Sequence, residues 1–456
     1  MLQRLKSAFN VLLGASAEVP VWLRAWDADG GGNRLANWSA STSRVNQFWT
    51  NPINLQARAE DEERNNPIAR RAINSLCAAT IGAGGINPQL KDKAVKAAWD
   101  KWTDGCDAEG RLDWVQSMDQ ILRAVAISGE VFVRYVYVAG GLKLLILPPV
   151  FLDRSRVDID TLEGIEYSGL TRAAYWLFER HPSFIMTPLR SVRIPADQVL
   201  HIFRPHAPGA QRGVTWLAPV LLDLYELKQY LEAALVKAKV SALFAGFVRT
   251  ADGSNPLASA NTAVPTLEPG SMGRLQPGEE VEFTTPPDAG PTFDPFVRTY
   301  LRRIAAGLNI PYEILTGDLS AITFASGRHG LLEWRRHIES IQHNLLVAQF
   351  CQPVFERWQL LFGNVDQMIK PRWIGPTIAM LDERADTAAT VAKIRAGLTS
   401  RSESVSATGW NIEEIDAEIA ADNARADGLK LVLDSDPRKT TMQGMEQQSQ
   451  IGAVQQ

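Results

Sequence analysis

The sequence predicts an α+β protein in which helix predominates, and three observations give that class. Apolar residues recur at alternating three- and four-residue steps over 217–238 and again over 331–355, the period of long helices with a buried stripe. Between earlier helical segments and these two lie GEVFVRYVYV, KLLILPP and IEYSGLTRAAYWLFE, short runs rich in β-branched and aromatic residues and bounded by glycine or proline. A length of 456 residues accommodates two to four domains or one elongated subunit of several parts.

The elements follow in order. Residues 1–50 read as an arm that needs a neighbour to pack against, with a glycine run at Gly30 to Gly32 and the polar stretch NWSASTSRVNQ. Arg4 and Lys6 precede AFNVLLGASA, whose apolar part is short and broken by Asn10 and Gly14, so it is not expected to act as an export signal. From Gln56 to Gly85 the pattern is helix, a break at Asn66-Pro67, and a second helix ending at glycine. Residues 91–128 continue in helical pattern and carry Trp99, Trp102 and Trp114 as core or interface candidates. A β-rich lobe is expected over about 129–205. Leu217, Val220, Leu224, Leu227, Leu231, Ala234 and Ala238 then form a narrow seam for lengthwise packing. Glycine and proline recur over 244–291, implying small strands and turns.

The segment 294–358 is a helix, a polar loop and a longer helix. Asp294 can cap the first helix, Pro295 suits its first turn and Pro311 closes it, with Val297, Leu301, Ile304 and Leu308 on one face. In the second, Leu331, Trp334, Ile338, Ile341, Leu345, Ala348 and Phe355 share a face interrupted by Gln352. A helix near 382–396 and a helix pair across a Ser/Gly turn follow, and the Gln/Ser-rich residues 434–456 lack the composition of a packed segment.

Composition narrows the function. Hydrophobic residues make up 45% and charged residues 21%, and no window approaches the roughly 18 apolar residues of a membrane helix. The formal net charge of −4 argues against a chain that grips phosphates along its whole length. Two local basic groups, Arg298, Arg302 and Arg303, and Arg328, Arg335 and Arg336, read first as solvated helix faces. Three cysteines, Cys77, Cys106 and Cys351, are odd in number, match no metal spacing and read as reduced thiols.

Catalytic groupings are weak. His337 and His343 fall on different helix faces, no His-Glu-x-x-His occurs, and Glu333 and His337 make an ordinary helix pair. Ser326-Gly327-Arg328-His329 is the nearest approach to a nucleophile elbow but lacks G-x-S-x-G. Gly82, Gly84 and Gly85 follow a helix and lack the lysine of a phosphate loop, so they read as a C-cap and turn. Acidic runs such as Glu279-Glu280 and Asp61 to Glu63 read as solvated faces. Neither cofactor nor metal is expected, and the chain is not expected to be an enzyme.

Several segments, taken together and in order, resemble the lambda-type family of tailed-phage portal proteins. They are RAEDEERNNPIARRAI, TIGAGGINPQ, ISGEVFVRY, HIFRPHAPGAQRGVTWLAPVL, LQPGEEVEF and LRRIAAGLNIPYEILTGDLSAITFASGRHGLLEWRR, spanning roughly residues 55–400. One departure is AITFASGR, where the family more often has a polar Asn/Tyr/Ser-Ser-Arg stretch.

The resemblance implies a portal fold: an arm at 1–50, a first wing part at 51–216, a stem helix at 217–243, a clip at 244–293 and a second stem helix at 294–315. A tunnel loop at 316–328, a long wing helix and its return at 329–380, a crown at 381–433 and a tail at 434–456 complete it, and Pro353 should bend the wing helix or mark its break. It also implies a ring of identical subunits, twelve in the common case, at one capsid vertex of the virion, assembled in the host cytoplasm. Double-stranded DNA would pass through it without sequence preference, and the major capsid protein, the terminase large subunit and head-tail adaptor proteins would be its partners, with no membrane. The residues expected to face DNA are Asp318, Leu319, Ser320, Thr323, Phe324, Ser326 and Arg328. Two rival readings are a head-tail scaffold that does not conduct DNA, and a DNA-processing or proteolytic enzyme.

Overall fold

The computed structural model describes residues 53–139, 141–183, 189–243, 247–250, 279–282, 293–320, 322–362, 369–378 and 382–431, with 433, 436 and 438. The expected arm lies outside these residues, as do nearly all of the expected clip and tail.

The chain enters as α1 (Ile53–Asn65) and α2 (Pro67–Ile81). Asn66 separates them because its side chain accepts from the Ile68 amide while Pro67 fills the first helical position. Gly82, at φ +54°, ends α2, so the IGAGG glycines do form a helix stop. After β1 (Asn87–Gln89) come α3 (Lys93–Thr103) and α4 (Trp114–Ser128), the latter opened by a capping box between Asp113 and Gln116. Trp99 anchors an aromatic cluster, its ring centroid 5.0 Å from Trp102 and Phe355, 5.3 Å from Trp114 and 5.2 Å from Trp358. The tryptophans are core.

The β lobe follows where the period changes. β2 (Glu130–Val138) lies between β3 (Gly141–Leu147) and β8 (Val199–Phe203), and β4 (Thr161–Leu162), β5 (Ile165–Ser168), β6 (Thr171–Phe178) and β7 (Ser191–Pro195) form a second antiparallel sheet in that order. Alternation along β2 sends Val131, Val133 and Tyr135 to the helical core and Phe132 to a smaller core shared with Ile165, Tyr175 and Leu177 of the second sheet. The first sheet is therefore covered on both faces.

α5 (Leu221–Leu243) and α6 (Phe293–Gly307) pack antiparallel, because Asp223 pairs with Arg303 at 3.0 Å while Tyr230 meets Phe293 and Phe296 with ring centroids 5.8 and 4.5 Å apart. Between them, β9 (Phe247–Thr250) and β10 (Glu279–Glu282) pair antiparallel. The seam divides along its length. Leu217, Val220, Leu224 and Leu227 are buried, whereas Leu231, Leu235 and Val236 are exposed. At a rise of about 1.5 Å per residue, residues 231–243 carry the helix roughly 20 Å beyond the level of Phe293.

The long second helix is α8 (Phe324–Ile341), a π-helical stretch (Gln342–Cys351) and α9 (Gln352–Phe362). The wider turn alters which residues are buried. Ile341, Leu346 and Cys351 lie five apart on the core side, as do Leu345, Phe350 and Phe355, while Ala348, expected on that face, is exposed. The α register returns at Gln352, one residue before Pro353, which has no amide to donate. Gln352, the expected interruption, accepts from the Trp373 indole at 2.8 Å. β11 (Arg372–Ile374) then pairs with β1, and α10 (Glu383–Arg395), α11 (Arg401–Ser406) and α12 (Ile412–Gly428) follow.

Candidate functional site

The polar connection between α6 and α8 is built by its own hydrogen bonds. Asp294 does not cap α6, which starts at Phe293; it sits inside the first turn and pairs with Arg298 at 3.1 Å. The helix ends at Gly307, before Pro311, and Asn309, with φ of +54°, turns the chain. The Asn309 amide donates to Ala306 O and the Ile310 amide to Ala305 O, a Schellman arrangement that satisfies the last carbonyls.

A short helix α7 (Tyr312–Thr316) intervenes and stops at Gly317, φ +77°. Arg71 of α2 donates from Nε to the Ile314 carbonyl at 3.0 Å, and its Nη2 lies 3.2 Å from where a Cβ on Gly317 would stand. A side chain at 317 would meet both an unfavourable φ and a guanidinium. Arg71 joins the loop's base to the helical core across 243 residues of sequence. No local periodicity marks it, and only its place in RNNPIARRAI hinted at a role.

Beyond Gly317 the loop turns on Asp318. Its Oδ1 accepts from the Ser320 amide at 3.0 Å and Ser320 Oγ at 2.6 Å, Tyr312 Oη donates to Oδ2 at 3.3 Å, and Thr316 Oγ1 accepts from the Asp318 amide. The Ser320 hydroxyl bond is the first reason the Asp318 carboxyl is held below its ordinary range. Leu319 and Phe324 point outward, 65% and 60% exposed.

The loop is shorter than expected because α8 begins at Phe324. Thr323 caps it: its hydroxyl accepts from the Ser326 amide, and Ser326 Oγ accepts from the Thr323 amide at 3.0 Å. Ile322 folds over Gly327, whose missing side chain leaves it room. Phe324, Ser326 and Arg328 are thus helical. Arg328 reaches α10 through Asp386 at 2.6 Å. Of the seven expected residues, Asp318, Ser320, Thr323, Ser326 and Arg328 are engaged within the subunit, and Leu319 and Phe324 present apolar surface.

The basic groups resolve in the same way. Arg303 pairs with Asp223, Arg302 lies over the Tyr312 ring at 5.6 Å, and Arg335 pairs with Glu339 at 2.9 Å. His337 lies beside Trp334, ring centroids 5.8 Å apart. Cys77, Cys106 and Cys351 are free and buried, and burial raises the Cys77 thiol to about 12 and that of Cys106 to about 11.

Two of the motif segments meet inside the protein. ISGEVFVRY supplies Gly129 and Glu130, and HIFRPHAPGAQRGVTWLAPVL supplies His201, Arg212 and Gly213. The Glu130 carboxylate, fully buried, accepts from Arg212 Nε at 3.0 Å and again from Nη2, from His201 Nε2 at 3.1 Å and from the Gly213 amide at 3.0 Å. Arg212 Nη1 also holds Glu163 at 2.8 Å. A Cβ on Gly213 would collide with the Gly129 carbonyl, so glycine permits the approach. Burial would raise the Glu130 pKa, but Arg212 and His201 overcome it and hold the carboxyl far below its usual range; burial in turn pushes His201 down to about 4, leaving it neutral. Pairing was not evident from sequence, because two charges 82 residues apart leave no spacing signal.

This architecture places the chain in a structural class found in phage-like particles. A chain from the neck of a native gene transfer agent particle, computed with C12 symmetry, aligns with a TM-score of 0.52 at 14% identity, covering 77% of this chain and 92% of its own. Residues 31–342 match the phage portal proteins of the lambda family, and the chain belongs to that family. The probable portal protein of Halomonas phage phiHAP-1 is 25% identical, covering 85% of this chain and 86% of the relative. Portal protein B of Escherichia phage lambda is 22% identical over 88% of this chain and 90% of its own length. The family resemblance carried by the motifs is borne out, and so is the predominantly helical α+β class.

Proposed function

We propose that the chain assembles with copies of itself into a closed ring, twelve subunits in the common case, whose axial channel passes double-stranded DNA during packaging and ejection. The observation that carries this reading is the antiparallel α5–α6 pair, buried at one end and apolar and exposed at Leu231, Leu235 and Val236 toward the other. A single subunit leaves this surface in water, and a second copy placed head to tail around a closed ring would cover it. The chain serves by conduction and attachment rather than catalysis. Its partners are the major capsid protein, the terminase large subunit, which would supply the motor, and head-tail adaptor proteins at the capsid vertex.

The loop is the cargo contact in this reading. Leu319 and Phe324 meet the duplex, Ser320 lies beside them, and Asp318, Thr323, Ser326 and Arg328 hold them in place. Apolar contact and a formal charge of −4 favour sliding, because a cationic lining would hold phosphates in a salt-dependent grip. Among the described residues, no helix is long and apolar enough to cross a membrane. Electron microscopy of the purified full-length protein tests the proposal. Rings with an axial channel wide enough for a B-form duplex are expected, and monomers or compact dimers alone under assembly conditions would sink it.

A further inference from the structure

A groove of about 860 Å³ runs between α1 and the start of α5, within the range of roughly 300–1,000 Å³ usual for ligand pockets. Its apolar lining comes from Leu55, Ala57, Ala218, Leu221, Leu222 and Tyr225, and Asp61, Glu62 and Arg58 stand along it. Leu222 is 70% exposed and Tyr225 51%, so large apolar surface faces water along the groove. The carboxylates outnumber the guanidinium, and Glu62 is fixed by Asn66 Nδ2 at 2.8 Å.

We infer that the occupant of this groove is the chain's own N-terminal segment, residues 2–12. Three observations support it. The N-terminal part of the chain outside the described residues ends at Pro52, and the groove begins at Leu55, so the tether arrives at the site it would fill. Within that segment Leu2, Leu5, Phe9 and Leu12 recur at three- and four-residue steps, an apolar stripe matched to an apolar floor. Arg4 and Lys6 flank the stripe and complement the excess of carboxylate along the groove, Asp61 being the accessible one. Residues 13–52 can span up to about 3.3–3.6 Å each, so the return is not limited by length. Tethering makes docking intramolecular, with an effective concentration in the millimolar range for a short flexible link and lower for this longer one.

The test is disulfide trapping in the full-length chain. The native thiols are buried, so Phe9→Cys combined with Leu222→Cys, the latter at an exposed position, supplies the pair for mild oxidation. The expected product is an intramolecular disulfide that changes gel mobility without reductant and leaves the mass of one chain. Phe9→Cys with Leu170→Cys, at an exposed turn of the second sheet, should not form it. A further readout is amide exchange: deletion of residues 2–12 should accelerate exchange in α1 and in the first two turns of α5 and leave α4 unchanged. Absence of the intramolecular disulfide, equal trapping at Leu170, or a disulfide only between chains would overturn the inference. A ring that assembles and conducts DNA normally is compatible with any of these results, so this inference and the channel reading can fail separately.

Discussion

Two carboxylates organise polar clusters in this protein, and their surroundings are opposites. Glu130 is fully buried and gathers a guanidinium, an imidazole and a backbone amide, the Arg212 bonds closing a separation of 82 residues. Asp318 stands near the surface, and its shortest bond reaches a serine two residues away. The first cluster ties β2, β8 and the approach to α5 together, and neither Glu130 nor Arg212 can be removed without depriving a buried charge of its main partner. The second is satisfied by its neighbours in sequence, so its bonds do not tie distant elements together. One cluster specifies the frame and the other shapes the loop proposed to meet DNA, although both lie in segments that mark the family.

Removing the buried carboxylate should separate the two most widely. Glu130→Ala leaves the buried Arg212 with Glu163 alone and is expected to cost about 3 kcal/mol, read as a lower denaturant midpoint. Asp318→Ala should leave that midpoint close to the parent's, because the carboxylate stands in water and its partners can bond to solvent instead. The pH dependence has a definite sign. The folded pKa of Glu130 is depressed, so its stabilisation is full above the ordinary carboxylate range and declines as pH falls through it. His201 is depressed from 6.5 to about 4, so the unfolded chain binds its proton first and stability falls as pH drops from about 6.5 to about 4. Glu130→Ala should flatten the part of the acid limb at and below the ordinary carboxylate range and leave the His201 part in place, because Glu130 favours the protonated imidazole; unchanged acid sensitivity in the carboxylate range would show that the cluster does not govern it.

Geometry can be broken without altering charge. Gly213→Ala keeps every ionisable group but sets a methyl against the Gly129 carbonyl, and about 3 kcal/mol of destabilisation is expected from overpacking. A near-neutral result would mean that the two backbone segments can separate and that the frame is less fixed than its hydrogen bonds indicate.

At the loop the expected effects are smaller. Thr323→Ala removes the cap of α8 and should cost about 1 kcal/mol, whereas Leu319→Ala should be within about 0.5 kcal/mol of the parent. If the loop contacts DNA, the ranking reverses in a packaging assay, and Leu319→Ala reduces DNA retention more than its stability predicts. Equal retention with all loop side chains truncated would remove the loop from the mechanism.

Much of the frame was legible because its signals are local or periodic. Asn66-Pro67 marked a helix boundary, alternation marked β2, and the spacing of Leu217, Val220, Leu224 and Leu227 marked a buried stripe. The failures have physical causes. Ala348 was placed in the core by a fixed helical period, but the π-helical stretch buries Leu346 and Phe350 instead. Residues 323–328 read as loop because capping residues and glycine are polar or small, although Thr323 and Ser326 form the box that starts the helix. Arg71 on Ile314 and Arg212 on Glu130 are contacts across long sequence separations, which neither propensity nor period encodes.

The ion pair between Arg328 and Asp386 also has a small expected effect and bears on whether the loop acts alone. Asp386 is the more enclosed partner, at 23% exposure against 42% for Arg328, and the pair joins the second turn of α8 to the first turn of α10. A partly exposed pair of this kind contributes about 0.2–1 kcal/mol, so Arg328→Ala should scarcely move the melting temperature. A double-mutant cycle with Asp386→Ala should return a coupling energy in that range. Loss of DNA retention in both single variants, with the double variant no worse, would mean that the pair transmits the loop's position to the C-terminal helices. Retention unchanged in all three would confine the loop's contact surface to the residues before α8.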